Sequence, residues 1–110
     1  MTTKAMTEQA FFILTALAGS AQHGYGIMGD VEEISGGRVT LKVGSLYGVL
    51  DRLVAEGLVE RDREEAHNGR LRRYYRLTDG GRTALSEEVA RQSANVAVAG
   101  RRLKIAEGTA

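Results

Sequence analysis

Residues 42–77, KVGSLYGVLDRLVAEGLVERDREEAHNGRLRRYYRL, change their side-chain periodicity once, at Gly57. This single switch restricts the fold more than any other feature of the chain. Before it, Leu46, Val49, Leu50, Leu53 and Val54 recur at helical spacing, which predicts a short helix with one buried face. The opposite face carries Ser45, Tyr47, Gly48, Asp51 and Arg52, groups that are short, polar or hydroxyl-bearing and suit a wet, charged partner. Gly57 supplies the left-handed residue that ends such a helix, and Leu58 can fold back on Leu53 in a Schellman stop. After Gly57 the pattern is that of two strands around Asn68-Gly69. A helix with one buried and one presented face, running into an arginine-rich hairpin, is the pattern of a recognition helix and its wing.

The hairpin admits two registers. A two-residue turn at Asn68-Gly69 pairs Leu77 with Glu60, mixing an apolar and a charged side chain on one face. A three-residue loop of His67, Asn68 and Gly69, with Gly69 in a left-handed bulge, instead sets Val59 opposite Leu77, Glu60 opposite Arg76 and Glu64 opposite Arg72. The second register is preferred. It assigns Arg72 and Arg76 partly to strand partners and leaves Arg70, Arg73 and His67 at the tip to meet an anion.

Upstream, Thr7 caps a helix to about Ala18 whose inward stripe is Ala10, Ile13, Leu14 and Leu17, while residues 1–5 read as a frayed terminus. Phe11 and Phe12 widen that stripe beyond one partner helix, so one of them is a candidate for contact with a second subunit. A polar break at residues 19–22 precedes a second helix carrying Ile27, Met28, Val31 and Ile34, which ends at Ser35, Gly36 and Gly37. Gly24, Gly26 and Gly29 match GxGxxG letter for letter. A dinucleotide site needs a buried strand before the first glycine and an acid ending a second strand, and neither is expected here. The glycines are read instead as allowing close helix packing. Residues 38–41 are expected to add a strand stub beside the hairpin.

Downstream, Thr78 caps a last helix with Asp79 in its first turn. A rough heptad follows, with Val89, Val96 and Leu103 at one seam position and Leu85, Gln92, Ala99 and Ala106 at the other. A helix from Asp79 to about Ala106 is too long for a small three-helix domain to cover, which points to a two-fold homodimer. The chain therefore divides into residues 1–78, a winged helix-turn-helix, and residues 79–110, a dimerisation helix and short tail. The fold class is mainly α with a small β-hairpin.

Composition narrows the chemistry. The 110 residues include no Cys and only two His, far apart, so thiol redox sites and a structural zinc site are not expected. No cofactor, paired catalytic carboxylates or Ser/His/Asp grouping is found, and an enzyme is not expected. With no run of about 18 apolar residues, the chain reads as soluble and cytoplasmic, with no membrane partner. A net charge of +1 decides nothing, but its distribution does. Arg61, Arg63, Arg70, Arg72, Arg73 and Arg76 all fall in the hairpin, among the acids Glu60, Asp62, Glu64 and Glu65.

HGYGI at 23–27, GGRV at 36–39, GSLYGVLDRL at 44–53, EGLVE at 56–60 and RRYYRLTDGGR at 72–82 resemble the PadR family of bacterial transcriptional regulators. The resemblance covers about Ile13 to Leu85. It implies a dimeric winged helix-turn-helix repressor of the short branch, with a single C-terminal dimerisation helix, bound to double-stranded promoter DNA. By that resemblance the helix at Ser45 enters the major groove and the wing follows the backbone or minor groove. Many members read GTLY where this chain has Gly44, Ser45, Leu46 and Tyr47, which keeps the hydroxyl. Drug-sensing members place an aromatic on the last helix, and the corresponding position here is Gln92. An effector pocket for a small molecule would use Phe11, Val89, Gln92 and Val96.

Phosphate or minor-groove candidates are Lys42, Arg70, Arg72 and Arg73, with Ser45 donating at a helix N-terminus. Candidates for base edges are Tyr47, Asp51 and Arg52, with Gly48 letting the helix approach closely. The dimer interface and effector pocket would draw on Phe11, Phe12, Leu85, Val89, Gln92, Val96 and Leu103. The leading expectation is a dimeric repressor on an inverted-repeat operator, released by an effector. The alternative is a winged-helix module that binds protein rather than DNA.

Overall fold

The computed structural model describes residues 6–104, so the expectations for residues 1–5 and for Ala106 lie outside the described residues. In chain order the elements are α1 (Glu8–Gly19), β1 (Gln22–His23), α2 (Gly24–Ile34), α3 (Val43–Ala55), β2 (Val59–His67), β3 (Arg70–Leu77) and α4 (Asp79–Arg102). Thr7 caps α1 by accepting a hydrogen bond from the Ala10 amide at 3.1 Å. The inward stripe of α1, Ala10, Ile13, Leu14 and Leu17, is buried together with Ile27 and Val31 of α2 and Leu46, Val49, Leu50 and Leu53 of α3. Val59 and Tyr75 at the base of the hairpin close this core. α3 ends as its sequence predicts: Gly57 has φ 77°, and the Leu58 amide reaches back to the Leu53 carbonyl at 3.0 Å.

The connection from α2 to α3 corrects one expectation. Residues 38–41 form no strand, although Val39 and Leu41 are buried and Arg38 and Thr40 are exposed in alternation. The reason is a competing hydrogen bond. Buried Ser35 at the end of α2 accepts the Val39 amide on its Oγ at 3.0 Å and so satisfies locally a donor that a ladder would need. The third strand comes instead from Gln22–His23, within and just after the stretch read as a polar break. It pairs antiparallel with β3, giving the sheet order β1-β3-β2 with Gln22 opposite Tyr75 and His23 opposite Tyr74.

The hairpin satisfies both registers that the sequence set against each other. At its base Val59 opposes Leu77 and Glu60 opposes Arg76, as expected. At its tip, however, His67 opposes Arg70 across a two-residue turn in which Asn68 and Gly69 both have positive φ, 51° and 78°. The three-residue loop is therefore absent. The extra residue lies mid-strand, where Asp62 and Arg63 together face Tyr74 in a bulge between Arg61 and Glu64. Glu64 consequently opposes Arg73, and not Arg72 as the sequence reading had it.

α4 starts on a cap as well, with Thr78 Oγ1 accepting the Gly81 amide at 2.9 Å. The same hydroxyl donates to the Gly57 carbonyl at 2.6 Å, and the Thr78 amide donates to the Leu58 carbonyl at 3.1 Å. These bonds pin the first turn of α4 to the α3–β2 corner. The helix is 24 residues long, about 36 Å at the usual rise, and is capped at Leu103 rather than running on to Ala106. Its far half extends away from the rest of the fold. Val96 and Leu103 are each 70 % exposed, and the radius of gyration is 16.1 Å where about 13 Å is usual for a compact chain of this size.

Gly81 shows how tight the corner is, because a Cβ there would collide with the Leu58 carbonyl oxygen and lie 2.7 Å from Leu77 Cδ1. Glycine to alanine inside a helix ordinarily gains roughly 0.5–1 kcal/mol. Here the backbone must give way, so Gly81→Ala is expected to lose about 2 kcal/mol or more in urea unfolding. A neutral or stabilised variant would show that the corner is looser than described.

Candidate nucleic-acid interface

α3 presents a polar face because its apolar residues are drawn into the core on the other side. Gly44, Ser45, Gly48, Asp51 and Arg52 are all exposed along it, with Lys42 at its N-terminal end. A Cβ added at Gly48 would meet nothing within 4 Å, so that glycine is not required by packing inside the protomer. The two edges of the face lean in different directions. Tyr47 leans towards the N-terminus of α2, where its hydroxyl lies over Gly24. Arg52, the leading sequence candidate for reading a base, leans towards a cavity of about 740 Å³ between α1, α3 and α4, whose wall includes Glu56, Glu88 and Arg91.

Between the first turn of α2, Tyr47 and the outer hairpin lies a cleft of about 570 Å³. It brings together Tyr47, Arg70, Arg72, Arg73 and His67, which the sequence had singled out, with His23 and Tyr25, which it had not. The HGYGI block held the signal for His23 and Tyr25, but nothing in it shows that β1 sets His23 against the hairpin. Tyr25 is 68 % exposed and Leu71 71 % exposed at the rim.

The hairpin arginines divide by their partners. Arg63 bonds Asp62 at 2.8 Å and Glu65 at 2.7 Å and lies 4.0 Å from the centre of the Tyr74 ring. These two carboxylates hold its proton more firmly than usual, the Glu65 hydrogen bond most of all. Arg76 is held by Glu60 at 2.6 Å and Asp62 at 3.8 Å. Arg73 meets Glu64 only at 3.9 Å. Arg70, Arg72, Lys42 and Arg52 form no ion pair among the described residues. The bulge moves Glu64 from Arg72 to Arg73 and sets Glu65 opposite Arg72, but Glu65 is engaged by Arg63, so Arg72, like Arg70, has no ion pair among the described residues.

The residues assigned to an interface or effector pocket are dispersed in the protomer. Phe12 packs on the core beneath Arg38, whose guanidinium lies 6.0 Å from the ring centre. Phe11 meets Phe12 edge to face at 5.4 Å between centroids and is half-buried. Val89 shares a cavity of about 240 Å³ with Leu85, while Phe11, Gln92 and Val96 do not line it. Gln92 instead donates to Glu88 at 2.9 Å. Arg91 bonds the same carboxylate, and the two donors hold Glu88 below the usual carboxylate range. Val89, Val96, Val98 and Leu103 remain exposed along α4. Among the described residues no helix is long and apolar enough to cross a membrane, and no cluster of three metal-ligating side chains occurs.

His23 carries a pH dependence. Partial burial, then the nearby Arg72 and His67, push its imidazole below the ordinary value of 6.5, with Glu65 opposing them. The folded state therefore binds a proton less readily than the unfolded chain does. The stabilisation is fully present above pH 6.5 and is lost as pH falls through the lowered folded value. Relative to His23→Gln, the wild type should lose stability in urea as pH falls from 6.5 through the lowered folded value. Parallel stability curves for the two proteins would contradict this.

The chain is similar to known proteins over most of its length. The profile of the transcriptional regulator PadR-like family matches residues 13–87. A 37.1 kDa protein in transposon TN4556 of Streptomyces fradiae is 47% identical over 76 residues; this alignment covers 69% of the chain but only 20% of that relative. A PadR family transcription regulator from Clostridium difficile superposes with a TM-score of 0.74 at 25% identity, over 88% of this chain and 99% of that one. Bacillus subtilis PadR, crystallised in complex with operator DNA, superposes with a TM-score of 0.64 at 26% identity, over 72% of this chain and 45% of that one. With a three-stranded sheet and four helices among the described residues and a family match over residues 13–87, the chain belongs to the PadR-like family of transcriptional regulators.

Proposed function

We propose that this chain binds duplex DNA as a sequence-specific repressor. The observation that carries the reading is the position of two uncommitted arginines, Arg70 and Arg72, in a cleft that Tyr47, at the edge of the presented face of α3, also lines. Duplex DNA requires contacts that position the protein on phosphate and contacts that discriminate bases. Arg70, Arg72 and Lys42, with Arg73 more weakly, supply the first kind, and Ser45 at the start of α3 adds a hydroxyl. Asp51 and Arg52 supply the second, Arg52 by swinging from the edge of its face. Gly48 lets the helix sit close to the bases. The similarity to a PadR crystallised with operator DNA supports the same partner here.

The rest of the reading concerns assembly. Val89, Val96 and Leu103 recur every seventh residue along a helix that leaves its own protomer, which is the pattern of a seam for a second copy. Phe11 and Leu85 would extend it. Such a homodimer presents two α3 helices to successive major grooves, so the operator is an inverted repeat with half-sites about one helical turn apart. An effector that changes the spacing of the two heads would release the DNA. The dimer centre near Phe11, Val89, Gln92 and Val96 is where that effector would bind.

Titration of promoter fragments against salt tests the reading. Affinity should fall steeply and linearly on logarithmic axes, and Arg70→Ala and Arg72→Ala should each lower the slope by about 1. Absent or salt-independent binding would favour a winged-helix module that docks on protein. A second expectation separates fold from reading. Gly48→Leu should leave the folded protein as stable as the wild type or up to about 1 kcal/mol more stable. It should nevertheless weaken specific binding by about tenfold or more, because the added side chain occupies the space that a close approach needs. Unchanged DNA affinity would remove α3 from the interface.

A further inference from the structure

Gly24 and Tyr47 belong to different helices and meet at one point. Gly24 is the first residue of α2 and is buried. A Cβ there would collide with Tyr47 Oη and lie 3.1 Å from Tyr47 Cζ and 3.5 Å from Leu46 Cδ2. The tyrosine hydroxyl therefore rests against the α2 backbone, in space that any side chain at position 24 would fill. Gly26, one position further along the GxGxxG pattern, serves a neighbouring contact. A Cβ there would approach Gln22 Oε1 at 3.1 Å and the His23 ring at 3.3 Å. Gln22 is itself anchored, donating from Nε2 to the Ala16 carbonyl and to Asp30 Oδ2, both at 3.0 Å. The third glycine, Gly29, has nothing within 4 Å of a built Cβ, and no contact explains it. Two of the three glycines thus make the first turn of α2 a bare surface against which β1 and α3 are fitted.

We propose that Tyr47 is a positioning residue, whose hydroxyl seated on Gly24 sets the rotation of α3 relative to α2 and to the wing. This rests on the DNA-binding reading given above and reassigns one of its base-edge candidates. Tyr47 stands at the edge of the presented face and lines the same cleft as Arg70 and Arg72, so its seat also sets how far that cleft opens. Tyr47 stays 37 % exposed, and this side chain is not a core anchor like Leu46 or Leu50. Its value lies in direction. A small rotation of α3 about its axis leaves the buried stripe in place but moves Ser45, Asp51 and Arg52 along the bases. Discrimination then fails before stability does, since base contacts demand closer placement than phosphate contacts.

The test uses a labelled duplex selected by the wild-type protein from a random-sequence pool, titrated beside mixed-sequence duplex. Gly24→Ala should lower the preference for the selected duplex by about tenfold, the size of one lost base contact, and keep the salt dependence set by the wing. Adding Tyr47→Phe should restore most of that preference. It removes the colliding oxygen and leaves only a ring carbon at 3.1 Å, which a slight tilt relieves. Wild-type preference in Gly24→Ala, or a double variant no better than the single one, would overturn the proposal; in the second case the hydroxyl acts at a base edge. Should Gly24→Ala fail to fold, the double variant is compared directly with wild type, and its restored folding and preference support the seat while its failure overturns it. A wild-type protein that selects no duplex would instead sink the DNA-binding reading, and the positioning role with it. Urea unfolding of the same variants then decides separately whether the hydroxyl and the glycine meet.

Discussion

The corner joining Gly57 and Leu58 to Thr78 and Gly81 governs the placement of everything after α3. Four elements end or begin there, and three hydrogen bonds hold it: Thr78 Oγ1 to the Gly57 carbonyl, the Thr78 amide to the Leu58 carbonyl, and the Gly81 amide to Thr78 Oγ1. Together they place Val59 opposite Leu77 at the base of the hairpin and set the direction in which α4 departs. A backbone junction suits this task, because it has few rotatable bonds and cannot be repacked as apolar side chains can. The absence of a Cβ at Gly81 lets α4 start in contact with that corner. The wing and the long helix thus share one anchoring corner.

The hairpin illustrates how a local irregularity can reassign charge. Core packing requires Val59 to face Leu77, while Asn68-Gly69 requires a two-residue turn, and an even ladder cannot provide both. The bulge at Asp62 and Arg63 absorbs the difference of one residue. Its effect reaches function, because the strand partners of the outer arginines move by one. Glu64 goes to Arg73, and Glu65 is engaged by Arg63, which also carries Asp62 and lies over Tyr74. Arg70 and Arg72 are left with no carboxylate partner among the described residues, near the imidazole of His23. Both line the cleft shared with the first turn of α2 and Tyr47, although the hairpin as a whole is rich in acids.

Periodicity and capping residues were sufficient to read the helices, their caps and the base of the hairpin. As helix caps, Thr7 and Thr78 each accept the amide three residues on, and Gly57 ends α3 through its own positive φ; such signals are visible in a linear string. The HGYGI, GSLYGVLDRL and RRYYRLTDGGR blocks also made the family legible. The errors arise from contacts that periodicity does not display, one of them local and the others between residues distant in the chain. Alternation in residues 38–41 looked like a strand, but the Ser35 hydroxyl takes the Val39 amide, and Gln22–His23 occupies the edge of β3 instead. Tyr47 and Arg52 were both candidates for base edges, Arg52 first, yet one leans on α2 and the other towards α4.

What the sequence determined by itself is the set of elements and their chemical character: an amphipathic helix with a polar face, an arginine-rich hairpin, and a final helix with more apolar surface than its own protomer covers. Those properties follow from local propensity and from which side chains water rejects. What only the tertiary structure decided is which charges and hydroxyls remain available. That depends on a bulge, an edge strand and a glycine seat, each the meeting of residues distant in the chain. One residue of register exchanges the partner of every arginine beyond it, because cross-strand pairing is a property of two strands together.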